Sequence, residues 1–162
     1  MSLNARANFL RVVSIVFAIY ALLWGLAPYA EFNMPARLIL DLSAWPIDNL
    51  SAPLDQNSMW LSAIGAGLLA AVSIFLGGIV VPALREGNRS IIRTTILAMM
   101  VWYIIDSAGS IAAGVLSNVV FNSIYLILVL APLVCIKGTS KALRDDGFGD
   151  SPTRRKTGVA VR

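Results

Sequence analysis

The chain has 162 residues, 57% of them hydrophobic and 14% charged, with a formal charge of +4 and a mean hydropathy of +0.75. A water-soluble domain of this size buries only about 70% of its unfolded surface, so the apolar surplus has nowhere to hide from water, and lipid is the expected solvent. The absence of histidine excludes imidazole ligation of metal or haem, a serine–histidine dyad and a histidine pH switch, and the single cysteine excludes an intrachain disulfide.

Residues 12–30 form the first apolar stretch, preceded by Arg6 and Arg11. Its 19 residues suffice for a helix across a hydrocarbon core of about 30 Å. The two arginines also fit the charged region of a secretory signal. The stretch is long for that role, however, and Pro28 follows the best cleavage site, Gly25-Leu26-Ala27, so an uncleaved anchor is expected.

The loop from 31 to 58 is long enough to hold structure of its own. Pro35 suits the first position of a helix, and the pattern predicts a short amphipathic helix over 35–45, ended by Pro46. Leu38, Ile39, Leu42 and Trp45 share one face, with Arg37 and Asp41 on another. The segment is expected to lie on the membrane interface, the alternative being a lid over a cavity between the helices. Trp24, Tyr29, Trp45 and Trp60 form the expected aromatic belt at this end.

The second span, 59–81, carries two rows of small residues: Ser62, Ala66, Ala70, Ser73, and Ala63, Gly67, Ala71. The third, 94–116, adds Gly109 with Ala113 and Ser110 with Gly114. Small residues let helix backbones approach in lipid, so spans two and three are expected at the centre of the bundle. The run Gly65-Ala66-Gly67 is packing and not a phosphate loop, because no lysine follows it.

Asp106 interrupts the third span and is the one ionisable side chain within a span. Its insertion costs about 2.5–3.5 kcal/mol, which makes an intramembrane carboxylate a candidate site. Ser110 lies one turn away, and Asn118 and Asn122 form a second polar pair at the start of the fourth span, 119–136. With the hairpin turning near Ser117, Asp106 and Asn122 would differ in depth by roughly 9 Å at 1.5 Å per residue, too far to pair. The expected partner is instead the carbonyl of Leu128, which Pro132 deprives of its helical donor.

Residues 137–162 are rich in glycine and mixed charge and are expected to form a disordered basic tail. Cys135 reads as a small apolar residue at the end of the last span. Of the 13 lysines and arginines, only Arg37 falls outside the N-terminal segment, the 82–93 connection and the tail. That bias places both termini in the cytoplasm.

The run Trp102-Tyr103-Ile104-Ile105-Asp106-Ser107-Ala108-Gly109-Ser110, followed by Gly114, Asn118 and Asn122, is similar to small four-helix membrane proteins of unknown function in proteobacterial genomes. The resemblance covers the last two spans and implies a bacterial inner-membrane location and four helices, but no activity. The expectation is therefore an all-α polytopic protein of four transmembrane helices. Its first expected role is a non-enzymatic accessory or scaffold of a membrane complex. The alternative is a small proton-coupled transporter or channel working as a dimer, with Asp106 as the coupling group. No cofactor or nucleic acid is expected. Expected partners are the lipid bilayer and either another membrane protein or a second copy of the chain.

Overall fold

In a computed structural model the chain is all-α, with helices and connecting loops and no strand among the residues described, 2–134. The expected tail and the last two residues of the fourth span, Cys135 and Ile136, lie outside them. The elements are α1 (Leu3–Trp24), α2 (Met34–Ser43), α3 (Gln56–Phe75), a π-helical turn (Leu76–Val80), α4 (Val81–Glu86), α5 (Arg89–Ala112) and α6 (Leu116–Val134). Four helical stretches, with α3 to α4 counted as one of 31 residues, are long and apolar enough to cross a membrane.

Local chemistry sets the helix ends. Ser2 caps α1 by accepting from the Ala5 N–H at 3.2 Å, and Asn88 caps α5 through the Ile91 N–H at 3.3 Å. Asp55 caps α3, and the hydroxyl and N–H of Ser58 hold its carboxyl below the usual carboxylate range. Both tight helical turns use a left-handed glycine. Gly87 (φ 68°) closes α4 with Asn88 N–H donating to Ala83 O, and Gly114 (φ 77°) closes α5 with Val115 N–H donating to Ser110 O. Only glycine takes this conformation freely.

The second span is not a plain α-helix, contrary to its uninterrupted apolar sequence. Pro82 has no N–H to offer the Gly78 carbonyl, and the turn ahead of it widens so that Val81 N–H donates to Leu76 O. Gly77 in this turn lets α1 approach closely: a β-carbon there would meet Ser14 Oγ at 3.0 Å.

The expected centre of the bundle is corrected. The hub is α1, which packs against α2, α3, α4 and α6, whereas α5 is the least buried span. Ala7, Leu10, Ser14, Phe17 and Ala21 recur every three or four residues along α1 and are all buried. Ala7, Leu10 and Phe17 share one core cluster with Leu76, Val80, Val81 and Leu84 from the second span and Val129 and Leu133 from α6. Arg85 Nη2 donates to Asn8 Oδ1 at 2.9 Å, so the N-terminus and the Gly87 turn share one end of the bundle. The α2 loop and the Gly114 turn share the other, tied by Ser117 Oγ donating to the Ser43 carbonyl.

Small residues point to the expected centre, but only one of the second span's rows is used that way. Ser62, Ala66 and Ser73 are buried, and Ala66 lies against Gly25 at the end of α1. Gly67 and Gly109 instead face outward, and a β-carbon added at either would meet nothing within 4 Å. Ala66→Leu should therefore cost about 1–3 kcal/mol in a detergent-unfolding titration, as overpacking does. Gly67→Leu should cost nothing measurable, and equal losses would refute this placement.

Candidate functional site: a cavity with a carboxylate in its wall

The core described above fills the end of the bundle nearer the Gly87 turn. Toward the other end the helices separate, because α5 meets the second span chiefly along its lower part, Leu76–Glu86. The space left between α3 and α5 is a cavity of about 670 Å³. Its back wall is α1 and α6, its sides are α3 and α5, and its roof is α2, which contributes Ile39, Leu40, Ser43 and Ala44. Volumes of about 300–1,000 Å³ are typical of small-molecule sites.

The roof position of α2 fits the alternative expectation of a lid over a cavity. The face expected to bind the membrane is split: Ile39 turns to the cavity, while Leu38 and Trp45 stay exposed. The polar residues of α2 fasten the loop behind it. The carboxylate of Asp41 accepts from the Asn49 N–H, both oxygens at 3.2 Å, and Arg37 Nη2 donates to the Ala52 carbonyl. Asn33 Nδ2 adds a bond to Ala27 O at 3.4 Å. These contacts brace the lid within its own loop, and the bond from Ser117 to the Ser43 carbonyl ties it to α6.

One wall carries the polar residues singled out from the sequence. Asp106 and Asn122 pair directly: Asn122 Nδ2 donates to Asp106 Oδ2. The expectation that they lie at different depths is thus overturned, and with it the expected bond to the Leu128 carbonyl. The error lay in the turn. Because Gly114 closes α5, the hairpin pivots there and not at Ser117, and Asp106 and Asn122 stand eight residues on either side of it. The same symmetry pairs Ser110 with Asn118, whose Nδ2 donates to Ser110 Oγ at 2.8 Å, and brings the Asn118 side chain toward Asp106 as well. Further down, Ser123 Oγ donates its proton to Val119 O, so the Tyr103 hydroxyl is the donor in its 2.8 Å bond to Ser123. All four candidate residues therefore belong to one α5–α6 ladder, and Asp106, Asn118 and Asn122 reach the cavity.

The remaining walls are mainly apolar, with six aromatic side chains among them. Phe17 and Tyr125 meet edge to face at 5.4 Å, Tyr20 and Tyr125 at 5.7 Å, and the Tyr20 hydroxyl lies beside Ser43 of the roof. Trp24 belongs to this lining and not to the belt where its sequence position put it; Tyr29, Trp45 and Trp60 do remain exposed at that end. The Trp24 Nε1–H is buried without a hydrogen-bond partner among the described residues. Its ring is seated by Gly65, whose absent side chain is the only reason it fits: a β-carbon there would lie 2.3 Å from Trp24 Cη2. The signal was present in the sequence as Gly65 within a helix, but nothing there named the ring that fills the gap. Among the described residues no three acidic, histidine or cysteine side chains gather as metal ligands.

No protein-family model, curated protein or solved structure matches the chain.

Proposed function

We propose that the chain is a non-enzymatic bundle of a bacterial inner membrane, with both termini cytoplasmic, that takes a small amphiphilic molecule from the bilayer into the cavity under α2. Its action is that of a carrier or small transporter in which Asp106 is the coupling group. The observation that carries this reading is the cavity itself, open between α3 and α5 and holding an intramembrane carboxylate in its wall. Mostly apolar walls with a few convergent polar groups are the usual form of a small-molecule site. The lateral gap gives a lipid-dissolved molecule a way in without crossing water.

A second reading, an accessory or scaffold subunit of a membrane complex, has one observation in its favour. Gly67 and Gly109 lie on outward faces with open space before them, and such faces admit another helix at close range.

Photolysis of a neutral, diazirine-bearing amphiphile in proteoliposomes tests the first reading. Labelling should concentrate on peptides holding Trp102 and Phe121, and Ala98→Phe, which fills the cavity, should abolish that preference. Label spread evenly over the outward faces and unchanged by Ala98→Phe would defeat it. The orientation is checked by fusing a periplasm-dependent reporter near Asp48, which should be active, and at residue 162, which should be silent.

A further inference from the structure

We infer that the cavity selects a lipophilic monocation, its charge set against Asp106 and its apolar body against the aromatic walls. The inference rests on the binding role proposed above and names the chemistry of the ligand. Charge sign is the first argument. Among the described residues, the titratable groups on the cavity wall are Asp106 from α5, Tyr20 from α1 and Tyr125 from α6; α2 and α3 bring none to it, and no lysine or arginine of the described residues lines it. An anion would meet an uncompensated carboxylate, whereas a cation balances one.

The second argument is acceptor capacity. An ionised carboxylate offers about four acceptor positions, and the amides of Asn122 and Asn118 occupy only part of that capacity. The remainder opens on the cavity that Asp106 lines. The asparagines hold the carboxylate in place without neutralising it, since an amide contributes hydrogen bonds but no charge.

Ring geometry is the third. Trp24, Trp102, Tyr20, Phe17, Phe121 and Tyr125 enclose the same space, and aromatic faces attract cations most strongly where water is excluded. A neutral apolar ligand would use the rings but leave the carboxylate unmatched. A proton and the cation compete for the same oxygens, so acidification releases the ligand, which is the exchange a proton-coupled carrier requires.

Tetraphenylphosphonium and tetraphenylborate have the same shape and opposite charge, and they form the decisive pair of probes. With the full chain in lipid nanodiscs, calorimetry should show saturable binding of the phosphonium beyond that of empty discs, weakening at acid pH, and none of the borate. Asp106→Asn keeps the hydrogen bond from Asn122 and should weaken phosphonium binding roughly thirtyfold or more, the scale of losing one partner of a buried charge pair. Trp102→Leu, a change at an exposed wall position, should weaken it roughly threefold to thirtyfold through the lost ring face, and it serves should Asp106→Asn fold poorly. Equal binding of both probes, or phosphonium binding indifferent to both substitutions, overturns the cation assignment. If the neutral amphiphile still labels the cavity in that case, the binding role stands and only the ligand class falls. If labelling fails as well, both fall.

Discussion

Asn122→Leu should destabilise the bundle by about 1–2 kcal/mol, the usual worth of a hydrogen bond between helices in a membrane. The substitution keeps the side-chain volume close to that of asparagine but removes the donor that reaches Asp106 Oδ2. Asp106 is then left with its weaker approach from Asn118 and with whatever water the cavity admits. Asp106→Leu should cost a similar amount, because it strands the Asn122 amide. The double substitution should cost less than the sum, since neither polar group is then left facing hydrocarbon. Asp106→Asn should be nearly silent for stability: the new amide oxygen still accepts from Asn122. Unfolding in denaturing detergent, followed by circular dichroism, measures all four. Strict additivity would mean that the two residues do not interact, and that the turn is not at Gly114.

That pairing also shows how far the sequence reaches. The four apolar stretches were legible because a helix crossing lipid has to be apolar over about 20 residues, whatever its neighbours are. The polar residues were legible for the same reason, each being an exception that lipid penalises. Their partners were not, because partnership across a hairpin depends on where the chain turns. A displacement of the pivot from 117 to 114 moves every cross-helix pair by nearly two turns of helix. The clue was Gly114 followed by the apolar Val115, the sequence form of a left-handed helix end, but it sat inside a run that hydropathy assigned to the membrane.

Other features were hidden by degeneracy. Two rows of small residues on the second span look alike in sequence, yet one packs on α1 and the other faces out. The first span carries fewer small residues and is nonetheless the hub, because large side chains such as Leu10 and Phe17 fill the space between neighbours as effectively as small ones close it. The π-helical turn needed Pro82 to be read as an interruption within the helix and not as its end. The cavity was legible only as the alternative of a lid over a space between the helices; its place was not, since it exists only where α3 and α5 fail to meet, and a lack of contact has no residue to announce it.

Gly65 is where that cavity can be remodelled by the smallest change. Gly65→Ala places a methyl group 2.3 Å from the Trp24 ring, inside any allowed contact, so the ring has to move. Tryptophan has only two side-chain torsions, and Trp24 is bounded by Tyr20, whose ring centre lies 6.3 Å away. Overpacking of this kind costs about 1–3 kcal/mol, against which alanine gains about 1 kcal/mol over glycine inside a helix. The net expectation in the native background is a loss of stability, accompanied by a shift in tryptophan emission as Trp24 leaves its half-buried seat. In a Trp24→Leu background the obstacle is gone, and only the backbone gain remains. The same Gly65→Ala change should then become neutral or stabilising by up to about 1 kcal/mol. The reversal of sign is the test, measured by paired unfolding curves of the four proteins. A Gly65→Ala cost that is the same with and without the indole would place Trp24 elsewhere, and would remove one wall from the proposed binding site.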